Sequence, residues 1–243
     1  MFRGSRSLAD YDKKNAVIWL SLAFQAGAIN AGGFLACHRF VTHTTGFATH
    51  FGAEAAQGHW VSALGMLSVP LFFLLGSMTS GFFVDHRLAH SREPHYSWSF
   101  GLMFLTMLFV TVAGHNGVFG EFGAPLNMTR DYLLLALLCW CSGLQNATMT
   151  SASGAVVRTT HLTGLTTDLG IGLVRALSHI NNDQVRKNEV LANWMRIGLI
   201  GAFILGSFAA SFVFLNEQYS AFAIPALISL VLTVVAAQNR WQT

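Results

Sequence analysis

The sequence has 243 residues, of which 53% are hydrophobic and only 10% are charged. A soluble domain usually carries about 25% charged residues, because its surface must be hydrated. This composition excludes a soluble enzyme, a nucleic-acid-binding protein and a disordered chain. The formal net charge of +3 does not indicate a nucleic-acid partner, since the cytoplasmic loops of membrane proteins are basic. The sequence therefore predicts a membrane protein whose first partner is the lipid bilayer.

A polar segment of mixed charge, residues 1–15, precedes the first apolar segment and lacks the features of a cleaved signal peptide. Six apolar segments follow, each of about 19–26 residues, which is long enough to cross a hydrocarbon core of about 30 Å as a helix. The predicted spans are residues 16–37, 60–84, 96–114, 131–152, 190–215 and 219–238.

Two shorter and more polar segments, 44–58 and 162–178, are also expected to be helical. Lys and Arg accumulate on the cytoplasmic side of a membrane, so their distribution indicates whether these segments cross. If neither crosses, eleven of the 14 Lys and Arg residues are cytoplasmic, two are outside and one lies within a span. If both cross, the asymmetry falls to about nine against four. We predict six spans and two re-entrant half-helices, with both termini and the 85–95 connection in the cytoplasm.

No metal site or cofactor is predicted. The histidines of the 85–95 connection lie at positions i, i+4 and i+9, which offers too few ligands for a convincing metal site. A disulfide framework is not expected either, because the cysteines lie in or beside apolar segments; they are Cys37, Cys139 and Cys141.

The sequence contains an internal repeat. Residues 42–52 read THTTGFATHFG and residues 160–170 read THLTGLTTDLG, with six identities in eleven positions. Two further blocks recur in the same order, one before and one after this motif. They are GAINA (27–31) with GLQNA (143–147), and LGSMTSGF (75–82) with LGSFAASF (205–212).

The repeat predicts an all-α membrane fold made of two tandem halves, 16–116 and 131–239, joined by an outer linker at 117–130. Each half has three spans and one half-helix. Because three is odd, the second half enters the membrane from the opposite side, which gives an inverted 3+3 repeat. This architecture is common among secondary transporters, whose binding sites lie near the midplane.

The two halves, GAINAGGFLACHRFVTHTTGFATHFG and GLQNATMTSASGAVVRTTHLTGLTTDLG, resemble the YoaK-like family of bacterial multipass membrane proteins, a domain of unknown function. The resemblance covers nearly the whole chain and is most specific at 145–147 and 159–164. In the first half the family typically shows Gly-x-x-Asp-Ala and Thr-Gly-Asn, where this chain has Asn30 and Phe47. The resemblance implies a protein of the bacterial inner membrane and no particular substrate.

The repeated polar blocks predict a solute site at the interface of the halves. Thr suits a helix N-cap, Gly permits close approach, and free N–H groups at a helix N-terminus suit an anion or another acceptor. The alternative is that these residues only cap and pack helices. The predicted solute-binding residues are Asn30, Thr42, His43, Thr45, Gly46, Thr49, Gln145, Asn146, Thr160, His161, Thr163, Gly164 and Thr167.

The repeat is broken at one ionisable position, where His50 in the first half aligns with Asp168 in the second. An ionisable side chain at membrane depth is usually paired or functional. The pair is interpreted either as a proton-titratable coupling site or as a static polar bridge between the half-helices.

These features favour a small secondary transporter or channel for a small, anionic or hydrogen-bonding solute. An enzyme is not predicted, because the sequence contains no nucleophile with its base and no tightly spaced metal cluster. Two alternatives stay open: a non-transporting assembly or sensor protein, and a membrane enzyme acting on a lipid or quinone. Association into a homo-oligomer is open as well.

Overall fold

The structure, a computed structural model, describes residues 13–124, 129–155, 157, 162–178 and 183–238. All regular secondary structure in these residues is helical. The helices are α1 (Lys13–Cys37), α2 (Thr45–Ala56), α3 (Trp60–Phe83), α4 (Asp85–Ala89), α5 (Tyr96–His115), α6 (Thr129–Ala152), α7 (Leu162–Ser178), α8 (Asp183–Glu217), a 3₁₀ helix (Gln218–Phe222) and α9 (Ala223–Gln238).

The six predicted apolar segments coincide with the long helices α1, α3, α5, α6 and α8 and with α9. Five continuous helical segments in the described residues are long and apolar enough to cross a membrane. The fifth of them, Asp183–Gln238, contains both α8 and α9. Gln218 separates these two helices, because its φ of 49° lies in the left-handed region, which ends a right-handed helix. The fold is thus all-helical and compatible with a membrane protein.

The two shorter predicted helices are present as α2 and α7, with 12 and 17 residues. At 1.5 Å per residue they are about 18 and about 26 Å long. Both lengths fall short of a hydrocarbon core of about 30 Å.

The structure adds helical residues at two predicted connections. The 85–95 connection contains the short helix α4, and α8 begins at Asp183 rather than at residue 190. Residues 183–189 read DQVRKNE, and the Gln, Arg, Lys and Glu among them are good helix formers even where they are polar. Asp183 in the first turn also interacts favourably with the helix dipole. Hydropathy identifies only the apolar part of a helix, whereas α8 also includes the polar residues 183–189.

The helices pack as three principal pairs, each combining one helix from each predicted half: α1 with α8, α3 with α6, and α5 with α9. The shorter helices lie on the outside, α2 against α3 and α7 against α8. Within the described residues α1 makes no extensive contact with α3, and α6 makes none with α8. The two predicted halves are therefore interdigitated rather than packed side by side.

The helices run parallel in the α1–α8 and α3–α6 pairs, whereas in the α5–α9 pair they run antiparallel, since Gly101 faces Thr233 and Gly114 faces Tyr219 just before α9. Along α1 and α8, Gly198 faces Leu20 and Gly32 faces Phe214, so residue numbers increase together on both helices. Along α3 and α6, Gly65 faces Tyr132 and Ser80 bonds Thr148.

The inner and outer helices differ in burial. In α1 and α6, 67% of the most apolar window is buried inside the protein, against 22% in the segment that contains α3. Large apolar side chains cover the outer faces, and a surface of this extent is suited to lipid. Exposed examples on α3 and α8 are Leu64, Leu71, Leu74, Phe82, Ile204, Leu205, Phe208, Phe212 and Leu215.

Candidate functional site

The α1–α8 pair is held at a reciprocal glycine crossing. A Cβ on Gly27 would collide with the backbone of Phe203, and a Cβ on Gly206 would collide with the backbone of Phe24. Only glycine allows two helices to approach this closely. The hydroxyl of Ser207 then donates to the carbonyl oxygen of Gly27 at 3.0 Å.

The α3–α6 pair has a crossing of the same design. A Cβ on Gly143 would collide with the backbone of Phe73, and one on Gly76 would collide with the backbone of Trp140. The hydroxyl of Ser77 donates to the carbonyl oxygen of Gly143 at 3.2 Å. These residues are the aligned partners of the first crossing, because GAINA matches GLQNA and both LGS blocks supply a glycine followed by a serine.

Two buried amides meet where α1 crosses α6, between these two pairs. The Nε2 atom of Gln25 donates to Oε1 of Gln145 at 3.2 Å and to the hydroxyl of Ser229 on α9 at 3.0 Å. The Nε2 atom of Gln145 donates to the carbonyl oxygen of Leu22 at 2.7 Å. All three polar side chains are almost fully buried, at 0%, 1% and 0% exposed. This group, which we call the amide crossing, is a polar centre inside an apolar bundle.

Two buried polar atoms at or beside the amide crossing are left without a hydrogen-bond partner among the described residues. Oε1 of Gln25 has no hydrogen-bond partner among the described residues, and neither has the buried hydroxyl of Ser142. Ser142 lies three residues before Gln145 on α6, so the two side chains share a helix face. An unpaired polar atom at this depth costs about 1–3 kcal/mol unless water or a solute satisfies it. The centre therefore offers an acceptor and a hydroxyl group that a small polar molecule would complement.

The segment after α1 folds back along that helix. Oδ1 of Asn30 accepts hydrogen bonds from the backbone N–H groups of Val41 and Thr42 at 3.2 and 3.3 Å, and from the Thr42 hydroxyl at 3.0 Å. Asn30 lies seven residues before the end of α1 at Cys37, which is about 10 Å along the axis. The chain thus reverses direction and returns about two turns before α2 begins.

The prediction that a threonine side chain caps the first half-helix was wrong. The N-cap of α2 is Thr44, whose backbone is in the right-handed helical region and whose side chain forms no capping hydrogen bond. Thr42 is buried, and its hydroxyl is used to fix the reversal at Asn30 instead. The helix begins at Thr45, one residue after the start of the predicted segment 44–58.

The other predicted residues of the first half lie around this reversal. His43 is half-buried and its ring stacks on Phe40, with ring centroids 5.3 Å apart. Gly46 faces the same histidine, while Thr45 and Thr49 are exposed on α2.

In the second half, Gln145 belongs to the amide crossing, and Asn146 beside it is half-buried. Thr163 and Thr167 are exposed on α7 and are joined by a hydrogen bond of 2.9 Å, while Gly164 is half-buried. The predicted residues Thr160 and His161 lie outside the described residues.

His50 and Asp168 are exposed on α2 and α7, and neither forms a hydrogen bond or an ion pair within the described part of the chain. The helices that carry them pack against α3 and α8 respectively and do not pack against each other in the described residues. The structure therefore does not contain the ion pair that pseudo-symmetry suggested. The same packing keeps the N-termini of α2 and α7 on separate helix pairs.

Metal binding has no evident centre in the described residues, where no three His, Cys, Asp or Glu side chains are grouped suitably. The three cysteines are buried and form no disulfide within the described residues.

A family model with the description "Protein of unknown function (DUF1275)" matches residues 18–235, which extend from the first apolar helix to the last and include all the repeated blocks. The chain belongs to the DUF1275 family. No curated protein and no solved structure is detectably similar to it. Membership of a family of unknown function agrees with the general part of the sequence resemblance and supplies no substrate.

Sequence reasoning missed two residues of the amide crossing in this DUF1275 protein. Gln25 and Asn30 are the two side-chain amides of the first apolar segment, 16–37. Gln25 aligns with Cys141 in the second half, so the repeat does not identify it as a candidate site residue. Ser229 lies outside the repeated blocks. The available signal was the presence of an amide among apolar residues, because such groups are rarely buried in a span without a partner.

Proposed function

We propose that this DUF1275 protein is a multipass protein of the bacterial inner membrane that conducts a small polar solute across the bilayer. In this proposal residues 16–116 and 131–239 are inverted repeats, each with three spans and a re-entrant half-helix, and both termini are cytoplasmic. The bilayer and the solute are its partners, and no enzymatic reaction is involved. The observation that carries the proposal is the amide crossing between two interdigitated helix pairs.

The re-entrant arrangement is supported by the reversal at Asn30. The chain returns about 10 Å along α1 before α2 begins, and α2 is only about 18 Å long. A turn at Gln57–His59 then joins α2 to α3, against which it packs. α2 starts beside the middle of α1 and leads directly into α3. A short helix in this position fits a re-entrant half-helix better than a membrane-spanning helix. The inverted repeat follows if α7 behaves alike.

The interdigitated packing supports alternating access by a rocking movement. One body contains α1, α7 and α8, and the other contains α2, α3 and α6. The glycine crossings hold each body together, whereas among the described residues the principal contact between the two bodies is the narrower α1–α6 contact. Rocking of one bundle against another around a central site is a recognised transport mechanism. The α5–α9 pair connects the two bodies without belonging to either.

The chemistry of the amide crossing favours a solute that forms hydrogen bonds. Gln25, Gln145 and Ser229 are neutral, and each can donate or accept. The unpaired Oε1 atom of Gln25 would accept a hydrogen bond from a solute donor. The half-helix N-termini would instead favour an anion, so the two kinds of group make different predictions about solute charge.

Binding is tested by thermal unfolding of the purified chain with a library of small polar solutes, including urea, acetamide, glycerol and formate. A ligand that binds the folded state raises the unfolding temperature by mass action, and the general effects of urea and glycerol on stability are the same in wild-type and variant protein. Gln145→Leu should abolish the shift given by the best solute, because the apolar side chain cannot bond Gln25. Gln57→Leu, the same exchange at an exposed turn position, should keep it.

Transport is then measured with the same solute, from the swelling of liposomes that contain wild-type or Gln145→Leu protein. Flux through wild-type liposomes should exceed that of empty liposomes, and the variant should match the empty ones. If formate alone binds, and Gln145→Leu binds it as wild type does, the solute site lies at the half-helix N-termini and not at the amide crossing. The absence of both a shift and flux would contradict the proposal and favour a non-transporting assembly protein.

A further inference from the structure

A second polar cluster lies where the re-entrant helix α7 meets α8. Glu189 on α8 lies between two guanidinium groups: its Oε1 atom is 3.8 Å from Nη1 of Arg175 on α7, and its Oε2 atom is 3.7 Å from Nη1 of Arg196 on α8. The same Nη1 atom of Arg196 also donates to Oδ1 of Asn193. We call these four residues the arginine cluster.

The helix backbone makes room for the arginine cluster. Gly172 on α7 packs directly on it, and a Cβ there would collide with Oδ1 of Asn193 and with Nη1 of Arg196. In the aligned repeat the position of Gly172 is occupied by Glu54 on α2. Among the described residues Glu54 pairs with His59, which follows α2 at an exposed position, at 3.2 Å. The arginine cluster therefore belongs to the second half and could not be predicted from the repeat.

The arginine cluster has more donors and more positive charge than its own acceptors neutralise. Two guanidinium groups share one carboxylate, and three buried polar atoms of the cluster have no hydrogen-bond partner among the described residues: two donors, Nε of Arg196 and Nδ2 of Asn193, and one acceptor, Oε2 of Glu189. Asn193 is only 4% exposed, so its unpaired donor is shielded from water. An anion with several acceptor oxygens, such as a phosphate, complements this arrangement.

The surroundings of the cluster indicate where such an anion comes from. The side chain of Arg175 is 58% exposed, and exposed apolar residues flank it on both helices: Val174, Leu177 and Trp194. Arg186 and Lys187 extend the positive surface toward the polar start of α8. Basic residues beside apolar helix faces, with tryptophan nearby, are typical of the boundary between lipid and water.

We propose that the arginine cluster binds the phosphate group of an anionic phospholipid. Arg175 contacts the headgroup, Arg196 supplies charge from behind it, and the acyl chains lie along Val174, Leu177 and Trp194. Glu189 limits the affinity by competing with the phosphate for both guanidinium groups. The proposal does not depend on solute conduction, because the cluster lies on α7 and α8 and shares no residue with the amide crossing.

The test measures lipid retention by the full chain in detergent, by native mass spectrometry, with phosphatidylglycerol and phosphatidylcholine as probes. Phosphatidylglycerol should be retained preferentially. Arg175→Gln should weaken its retention about fivefold, since one basic residue at a membrane surface contributes about 1 kcal/mol to binding of acidic lipid. Arg92→Gln, at an exposed position of the 85–95 connection, is the matched control and should retain lipid as wild type does.

Glu189→Gln separates a lipid site from a purely structural ion pair. Removing the competing carboxylate should strengthen phosphatidylglycerol retention, although it removes the same ion pair as Arg175→Gln. A structural role predicts losses for both variants. The proposal is overturned if Glu189→Gln weakens retention, if Arg92→Gln matches Arg175→Gln, or if inorganic phosphate at millimolar concentration displaces the lipid completely, which would indicate a site for the free ion.

Discussion

The hydroxyl of Thr42 donates to Oδ1 of Asn30 across twelve residues of sequence, and the same oxygen accepts two backbone N–H groups. A single side-chain oxygen therefore fixes the reversal between α1 and α2. This use explains why the sequence family that the chain resembles can have Asp where this chain has Asn30, since a carboxylate oxygen accepts the same three donors.

Asn30→Leu should destabilise the protein by about 1–3 kcal/mol, because three donors at the reversal lose their acceptor. Asn30→Asp should retain most of that stability. Chemical unfolding in detergent measures both, and limited proteolysis of the 38–44 segment reports whether the reversal has opened. Asn116→Leu is the control, because that side chain bonds only within its own helix end. Equal stability of Asn30→Leu and Asn116→Leu would contradict the assigned role.

Gly27→Ala should separate α1 from α8, because the added Cβ collides with the carbonyl group of Phe203. Overpacking at a backbone contact is expected to cost about 1–3 kcal/mol or more. Gly201→Ala on α8 has open space for its Cβ and should be neutral or stabilising by up to about 1 kcal/mol. Thermal unfolding of the two variants in detergent gives the comparison. A Gly27→Ala protein as stable as Gly201→Ala would show that the close approach is not required.

The helices were predictable from the sequence because a span needs about 20 apolar residues, and such runs have visible ends. The arrangement of the helices was less accessible. The repeat identified Gly27 and Gly143 as equivalent positions, but equivalence is not contact. The sequence alone gave no reason to expect Gly27 to pack on α8 of the other half rather than on α3 of its own.

The candidate site was predicted only in part, for a related reason. Gln145 was identified because it follows a repeated glycine, whereas its partner Gln25 has no repeated counterpart. The proposed pairing of His50 with Asp168 rested on alignment alone. Each of those residues faces outward on a different helix pair, so symmetry related them without bringing them together.

His95 provides a pH-dependent prediction outside the spans. Burial lowers the pKa of His95 below its ordinary value of 6.5, Arg87 lowers it further, and Glu93 partly offsets the effect. Because the unfolded chain then takes up the proton first, this residue's contribution to stability is complete above pH 6.5 and is lost as the pH falls through the folded pKa. Arg87→Gln should raise the pKa of His95, as NMR titration of labelled histidine would measure, whereas Arg92→Gln should change it less. An unchanged value in Arg87→Gln would exclude the arginine as a cause.

Membrane orientation gives the last prediction. The native thiols Cys37, Cys139 and Cys141 are buried, so an added cysteine can be labelled in whole cells with little background. His90→Cys in the 85–95 connection and Gly117→Cys after α5 both lie at exposed positions. They flank α5, a candidate span of 20 residues. An impermeant maleimide applied outside should label position 117 and not position 90, because the proposed topology places the 85–95 connection on the positively charged cytoplasmic side.

Permeabilisation of the cells should then expose position 90 to the reagent, which controls for its intrinsic reactivity. With the N-terminus cytoplasmic, labelling of position 90 in intact cells, with position 117 protected, would require the chain to cross the membrane once more between α1 and α3. The segment available for that crossing is α2, with 12 residues and a length of about 18 Å. That outcome would remove the half-helix and, with it, the inverted repeat on which the rocking mechanism depends.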